Sequence, residues 1–257
     1  MLILLPPSEG KTAPRSGHPL DLESLVHPDL TPARRAVLEA LVEASANPDA
    51  ATILKAPADA VAPNRHLLTA PTAPAARVYS GVLFDALGHA TLSPAAKRRA
   101  TRSVLVFSAL FGVLRLGDRI PDHRLSAGTT LPGLGPVTSH WRRHLRVLDD
   151  GATGVVVDCR SSSYAALWRP AGALDVRVFR EQGDSRTVVS HMAKHSRGLV
   201  ARALLSAPEL PRTPDDVVDA SRAWFATHEV RTATGALVEV HVERAGTHLD
   251  VITRTAS

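Results

Sequence analysis

The chain has 257 residues, 44% hydrophobic and 21% charged, enough for one large domain or two small ones with an ample core. Cys159 is its one cysteine, which excludes an internal disulfide framework and a cysteine-rich zinc site. The formal charge of +5 rests on arginine, with lysine only at 11, 55, 97 and 194, and favours an anionic partner. No apolar run approaches a membrane span and the start lacks signal-peptide features, so a cytoplasmic protein without membrane association is expected.

Leu2 to Leu5 reads as a short buried strand closed by Pro6-Pro7. Residues 13 to 30 read as loop. Thr31-Pro32 and the apolar stripe Val37, Leu38, Leu41 and Val42 predict a helix over 32–45. Residues 47 to 77 hold five prolines and predict only short helices and connections. A helix is expected over Val78–Leu87, stopped by Gly88, and a shorter basic one from Ser93-Pro94 to Arg99.

A buried strand follows in 103 to 128 and opens into a glycine-punctuated loop with Arg115, Asp118, His123 and Arg124. Residues 138 to 149 suit a helix, and 154 to 164 a further strand-to-polar-loop unit. "TVVSHMAKHSRGLVARALL" predicts a strand running straight into a helix. Period-two alternation around Ala245-Gly246 predicts a C-terminal hairpin. These elements predict one mixed α/β (α+β) domain over 1–257, with a central mixed sheet flanked by helices.

Four strand ends open into hydroxyls and cations: Ser8/Lys11, Ser108/Arg115/Arg124, Arg160 with Ser161 to Ser163, and Lys194/Arg197. In parallel sheets the carboxyl ends share an edge where ligands bind, so a basic, hydroxyl-lined cleft suited to phosphate is expected. "LPPSEGKT" itself is not a P-loop. Leu5 stands where the first glycine must be, and two prolines occupy the wrap.

Other constellations carry less. His140 and His144 have metal-pair spacing, but Arg142 replaces the expected glutamate and no third ligand is evident. His191 and His195 straddle the strand–helix junction. Cys159 reads as a core cysteine without a resolving partner, and Ser161 to Ser163 as hydrogen-bonding groups without a His/Asp partner. Trp141, Tyr164 and Trp168 read as core or rim aromatics. No metal and no cofactor are expected.

Several segments together resemble the YaaA-like peroxide stress proteins, a bacterial cytoplasmic family. "LPPSEGKT" is similar to the family opening through Ser8, Lys11 and Thr12, and "YSGV" at 79–82 to a family Tyr-Thr-Gly. "SALFGVLRLGDRIPDHRLSAG" matches at Ser108, Leu110, Gly112, Val113, Leu114, Arg115, Asp118, Arg124, Leu125 and Gly128. Trp141, Tyr164 and the run Ala193, Lys194, Arg197, Gly198, Leu199 and Arg202 extend the likeness in order to position 205. The resemblance implies a compact α/β fold with a positive cleft. It also implies a role in hydrogen peroxide stress linked to lower free iron, and DNA binding. The family's Gly-Asp after the tryptophan is Arg142-Arg143 here and its Asp-Glu before the tyrosine is Ser162-Ser163, and the family's helix-hairpin-helix cannot be placed in this sequence.

Three functions compete. A DNA-binding stress protein would use Lys11, Thr12, Arg115, Arg124, Arg160, Ser161, Lys194 and Arg197 as phosphate contacts, with double-stranded DNA bound at low specificity. An enzyme on a nucleotide-like or phosphorylated substrate would use the same cations as clamp. Glu9 or Asp118 would then serve as acid/base and Ser8 as positioning group. An iron-handling protein has least support, for want of a ligand cluster.

Overall fold

The computed structural model describes residues 1–257 except 152, 184, 189, 233, 234, 256 and 257, and all other side chains but those of 190, 191 and 255. The fold is mixed α/β, as the interleaved pattern predicts. Nine strands of one sheet are described: β1 (Leu2–Leu5), β2 (Val104–Ser108), β3 (Gly112–Leu114), β4 (Val156–Asp158), β5 (Leu174–Gln182), β6 (Ser185–Val188), β7 (Val230–Arg231), β8 (Leu237–Ala245) and β9 (His248–Thr255). Their order is β7-β8-β9-β5-β4-β1-β2-β3, with β6 pairing β5. The larger helices are α1 (Thr31–Ala46), α2 (Val82–Leu87), α3 (Pro94–Ser103), α4 (Val137–His144), α5 (Ser190–Ser206) and α6 (Pro214–Phe225).

The sheet's centre is parallel: β1 runs with β2 and β4, β4 with β5, and β5 with β9. Ile3, Leu4 and Leu5 are fully buried, which is why β1 is an unbroken apolar run rather than an alternating one. Leu5 pairs with Val106, and Leu4 with Asp158. The chain therefore leaves the sheet at Leu5, Ser108 and Asp158 along one edge, as three of the four expected loops require.

The fourth unit differs from expectation. The parallel strand there is β5, whose alternation (Leu174, Val176 and Val178 buried) sequence reading passed over. β6 returns antiparallel to it, and α5 follows. Lys194 and Arg197 thus reach the cleft on the early turns of α5, beyond a hairpin, not at a parallel strand's carboxyl end. His191 belongs to that helix, but its side chain lies outside the described residues.

Helix boundaries shift for local reasons. The expected helix over 78–87 splits into Ala75–Val78 and α2, because Tyr79 is extended and Gly81 has φ +101°. A Cβ on Gly81 would also press on the Ser8 hydroxyl at 3.2 Å. The segment expected as a helix over 138–149 is α4 followed by a 3-10 stretch, Leu145–Gly151. Gly198 on α5 lies against the backbone of α2, where any side chain would collide with the Leu83 carbonyl. Arg202, one turn further, donates to the carbonyls of Leu87 and Gly88 and caps the C-terminus of α2. The terminal hairpin is β8–β9, turning at Gly246 as expected.

Candidate functional site

The three aligned loops, the start of α2 and the early turns of α5 enclose a cleft of about 900 Å³. One wall is the Pro6–Thr12 loop. It is laid antiparallel on the 78–81 segment: Thr12 donates to the Val78 carbonyl at 2.8 Å and Ser80 to the Gly10 carbonyl at 3.1 Å. Lys11 is thereby set opposite Tyr79. Its ammonium lies 5.7 Å from the centre of the buried Tyr79 ring and donates to the Ser8 carbonyl at 2.9 Å. Desolvation lowers its pKa to about 8; Arg124 acts in the same direction, while Asp122 and Glu9 oppose it.

The facing loop carries His123 and Arg124. Buried Asn64 clamps the Arg124 backbone, accepting its N–H at 2.8 Å and donating to its carbonyl at 2.9 Å. The Arg124 guanidinium pairs with the exposed carboxylate of Glu9 at 3.0 Å, across the cleft mouth. His123 is buried edge-on to Phe111 and Tyr79, with Nδ1 3.0 Å from the Pro121 carbonyl. A carbonyl only accepts, so Nδ1 carries the proton and Nε2 keeps its lone pair. Burial, and then the Lys11 charge, push its pKa well below the ordinary value.

A group held neutral in the fold yet protonated when unfolded makes stability fall in acid. The loss begins as pH drops below about 6.5, at up to roughly 1.4 kcal/mol per pH unit per such histidine. Urea unfolding of the wild type between pH 7.5 and pH 5 is expected to show this slope. His27, His89, His140, His144 and His195 are held low as well, so His123→Gln is expected to reduce the slope by one histidine's share, and an unchanged slope would remove His123 as a contributor.

The third loop presents Ser161, Ser162 and Ser163, with the Ser161 and Ser163 hydroxyls 3.0 Å apart. Tyr164 follows, its phenol pushed up to about 12 by burial. Cys159 also lines the cleft, fully buried, its thiol pushed up to about 12 by desolvation. A thiol that stays protonated is a poor redox sensor, in keeping with the core reading.

Of the expected site residues, Ser8, Glu9, Lys11, Arg124, Ser161, Lys194 and Arg197 line the cleft. Lys194 is exposed at its rim, whereas Arg197 is half-buried and donates to the Val176 carbonyl. Thr12, Arg115, Asp118 and Arg160 do not line it. Arg115 donates to the carbonyls of Thr101 and Arg102 at the end of α3. Asp118 accepts from the backbone of Arg115 and Val26 and so shapes a turn. Arg160 is buried, paired with Asp158 at 2.6 Å, stacked on Phe107 and donating to the Trp168 carbonyl. Sequence reasoning gave no site role to Asn64, Tyr79, His123 or Arg177. Asn64 lies in a proline-rich stretch with no motif. Arg177 sits in the overlooked strand, held by two hydrogen bonds to Asp250.

The remaining motifs resolve structurally. His140 and His144 stack ring on ring, and His140 bonds the Ala33 carbonyl. Among the described residues no group of three or more His, Cys, Asp or Glu could hold a metal ion, and no helix is long and apolar enough to cross a membrane. Trp141 is fully buried and donates to the Ala109 carbonyl at 2.6 Å.

Sheet order and cleft together define an α/β protein with a cationic, hydroxyl-lined pocket at the carboxyl edge of its parallel strands. The chain belongs to the peroxide stress protein YaaA family, whose family model matches residues 1–229. It is 47% identical over 232 residues to a UPF0246 protein of Streptomyces coelicolor, covering 86% of this chain and 89% of that one. It is 44% identical over 239 residues to a UPF0246 protein of Corynebacterium efficiens, covering 90% and 95%. An uncharacterized protein of Campylobacter jejuni is 26% identical over 207 residues, covering 78% and 82%.

Proposed function

We propose that the cleft binds a small phosphorylated, nucleotide-like ligand and acts on it as an enzyme. The observation that carries this reading is the recessed position of Lys11 in a cleft of about 900 Å³. That volume lies in the range of small-molecule sites, and a cation set back from the surface suits a ligand that enters more than a duplex that lies across. Lys11 and Arg124 supply charge, and Ser8 and Ser161 to Ser163 supply hydroxyls. Glu9 remains the acid/base candidate, while Asp118 is occupied in its turn.

Double-stranded DNA bound at low specificity is the second reading, favoured by the net charge of +5 and the exposed Lys194 at the rim. In either case the role in peroxide stress, including less iron-driven damage, would follow from what this cleft binds. The protein's place in the cytoplasm is part of the same proposal.

A thermal-shift screen of nucleoside and sugar phosphates separates the readings. A ligand at about a hundred times its Kd stabilises by roughly 2.7 kcal/mol, and Lys11→Ala is expected to abolish the shift. No shift with any phosphate, together with duplex binding that weakens steeply with salt, would overturn the first reading in favour of the second.

A further inference from the structure

We propose that Lys11 forms an imine with the carbonyl carbon of a phosphorylated aldose or ketose held in this cleft. The inference rests on the phosphate-ligand reading and adds a covalent step to it. A lysine serves as a nucleophile when it is desolvated or set beside another cation, and Lys11 meets both conditions. Tyr79 covers one side of it, Arg124 is the neighbouring cation, and the Ser8 carbonyl accepts one of its protons. Glu9, the weaker of the two acids that act on it, is drawn to Arg124. Among the described residues Lys11 forms no ion pair. Asp122 is the other acid acting on it, and desolvation outweighs both, so its pKa is lowered to about 8.

His123 lines the same cleft, its proton on Nδ1 against the Pro121 carbonyl. Its low basicity leaves solvent as the acceptor of the Lys11 ammonium proton. The neutral amine then forms the C–N bond while the carbonyl π pair moves to oxygen, which takes up the proton that the nitrogen sheds. The carbinolamine hydroxyl takes a proton from solvent and leaves as water, and the nitrogen lone pair closes the C=N bond as the remaining N–H proton returns to solvent. No oxidant or reductant enters. The substrate's phosphate would lie toward Arg124 and the serine hydroxyls of 161–163.

The chain's four lysines make the test a mapping experiment on the intact protein. Ribose 5-phosphate is incubated with the wild type and trapped with cyanoborohydride, and the adduct is located by peptide mass. Binding is followed in parallel by thermal shift. Lys11 lines the cleft and Lys55 and Lys97 do not, so at pH 7.4 trapping at Lys11 is expected at least ~10-fold faster than at either. The rate is expected to level off above about pH 8 instead of climbing toward 10.5. Lys11→Arg keeps the cation but cannot form an imine, so it is expected to retain a thermal shift and lose the adduct. A thermal shift without preferential labelling of Lys11 would overturn the imine and leave the phosphate cleft standing. Neither shift nor adduct, with glyceraldehyde 3-phosphate as well, would overturn both.

Discussion

Asp158→Ala is expected to destabilise the fold by about 3–5 kcal/mol, because it strands a buried guanidinium without its counter-ion. The Arg160 side chain is fully buried, and Asp158 receives its Nε at 2.8 Å and its Nη2 at 2.6 Å. The same carboxylate accepts the Arg160 backbone N–H, so the turn out of β4 depends on it. Urea unfolding measures the loss. A buried pair replaced whole is far less costly than one that is broken, so Asp158→Ala with Arg160→Met is expected to recover part of the stability. If the double variant is no better than the single, the unpaired charge is not the cause.

Arg34→Ala is expected to cost about 4 kcal/mol or more, from four lost hydrogen bonds at roughly 1 kcal/mol each and a cavity besides. Arg34 projects from α1 into the core and is fully buried. It donates to Phe111 and Val113 at 3.0 Å, to His27 at 3.2 Å and to Val26 at 2.6 Å. One side chain therefore ties the first long helix to the β2–β3 turn. Burial lowers its pKa to about 10, with Asp118 opposing, so it stays charged at neutral pH. Arg34→Met fills much of the volume and is expected to fail nearly as badly, since the carbonyls remain orphaned. A destabilisation below ~1 kcal/mol in either variant would show that water or rearrangement satisfies them.

The parallel core was legible because β1, β2 and β4 are short apolar runs ending in polar loops, and that pattern has few other solutions. β5 was less so: its exposed Asp175 and half-buried Arg177 diluted the alternation beside the stronger helical signal of α5. The site divides along the same line. Lys11 and the serines could be placed because they follow strands closely, and Arg124 because it lies in the polar loop that β2 and β3 open into. Arg160 and Arg115 follow strands too, yet one guanidinium is buried on Asp158 and the other caps the end of α3. A count of cations cannot separate an arginine that caps a helix or pairs with a buried carboxylate from one that faces solvent. Asn64 was invisible because its role is to hold another residue's backbone, and the contact spans 60 positions.

The zipped loop that carries Lys11 has a thermodynamic consequence. Pro6 and Pro7 fix two φ angles, and the two main-chain bonds to 78–81 fix the loop's far end. Its conformational entropy is thus surrendered when the chain folds, before any ligand arrives. A molecule docking on Lys11 meets a preorganised wall and loses little affinity to ordering it. Selectivity then falls to the groups that face it, Arg124 and the serines of 161–163.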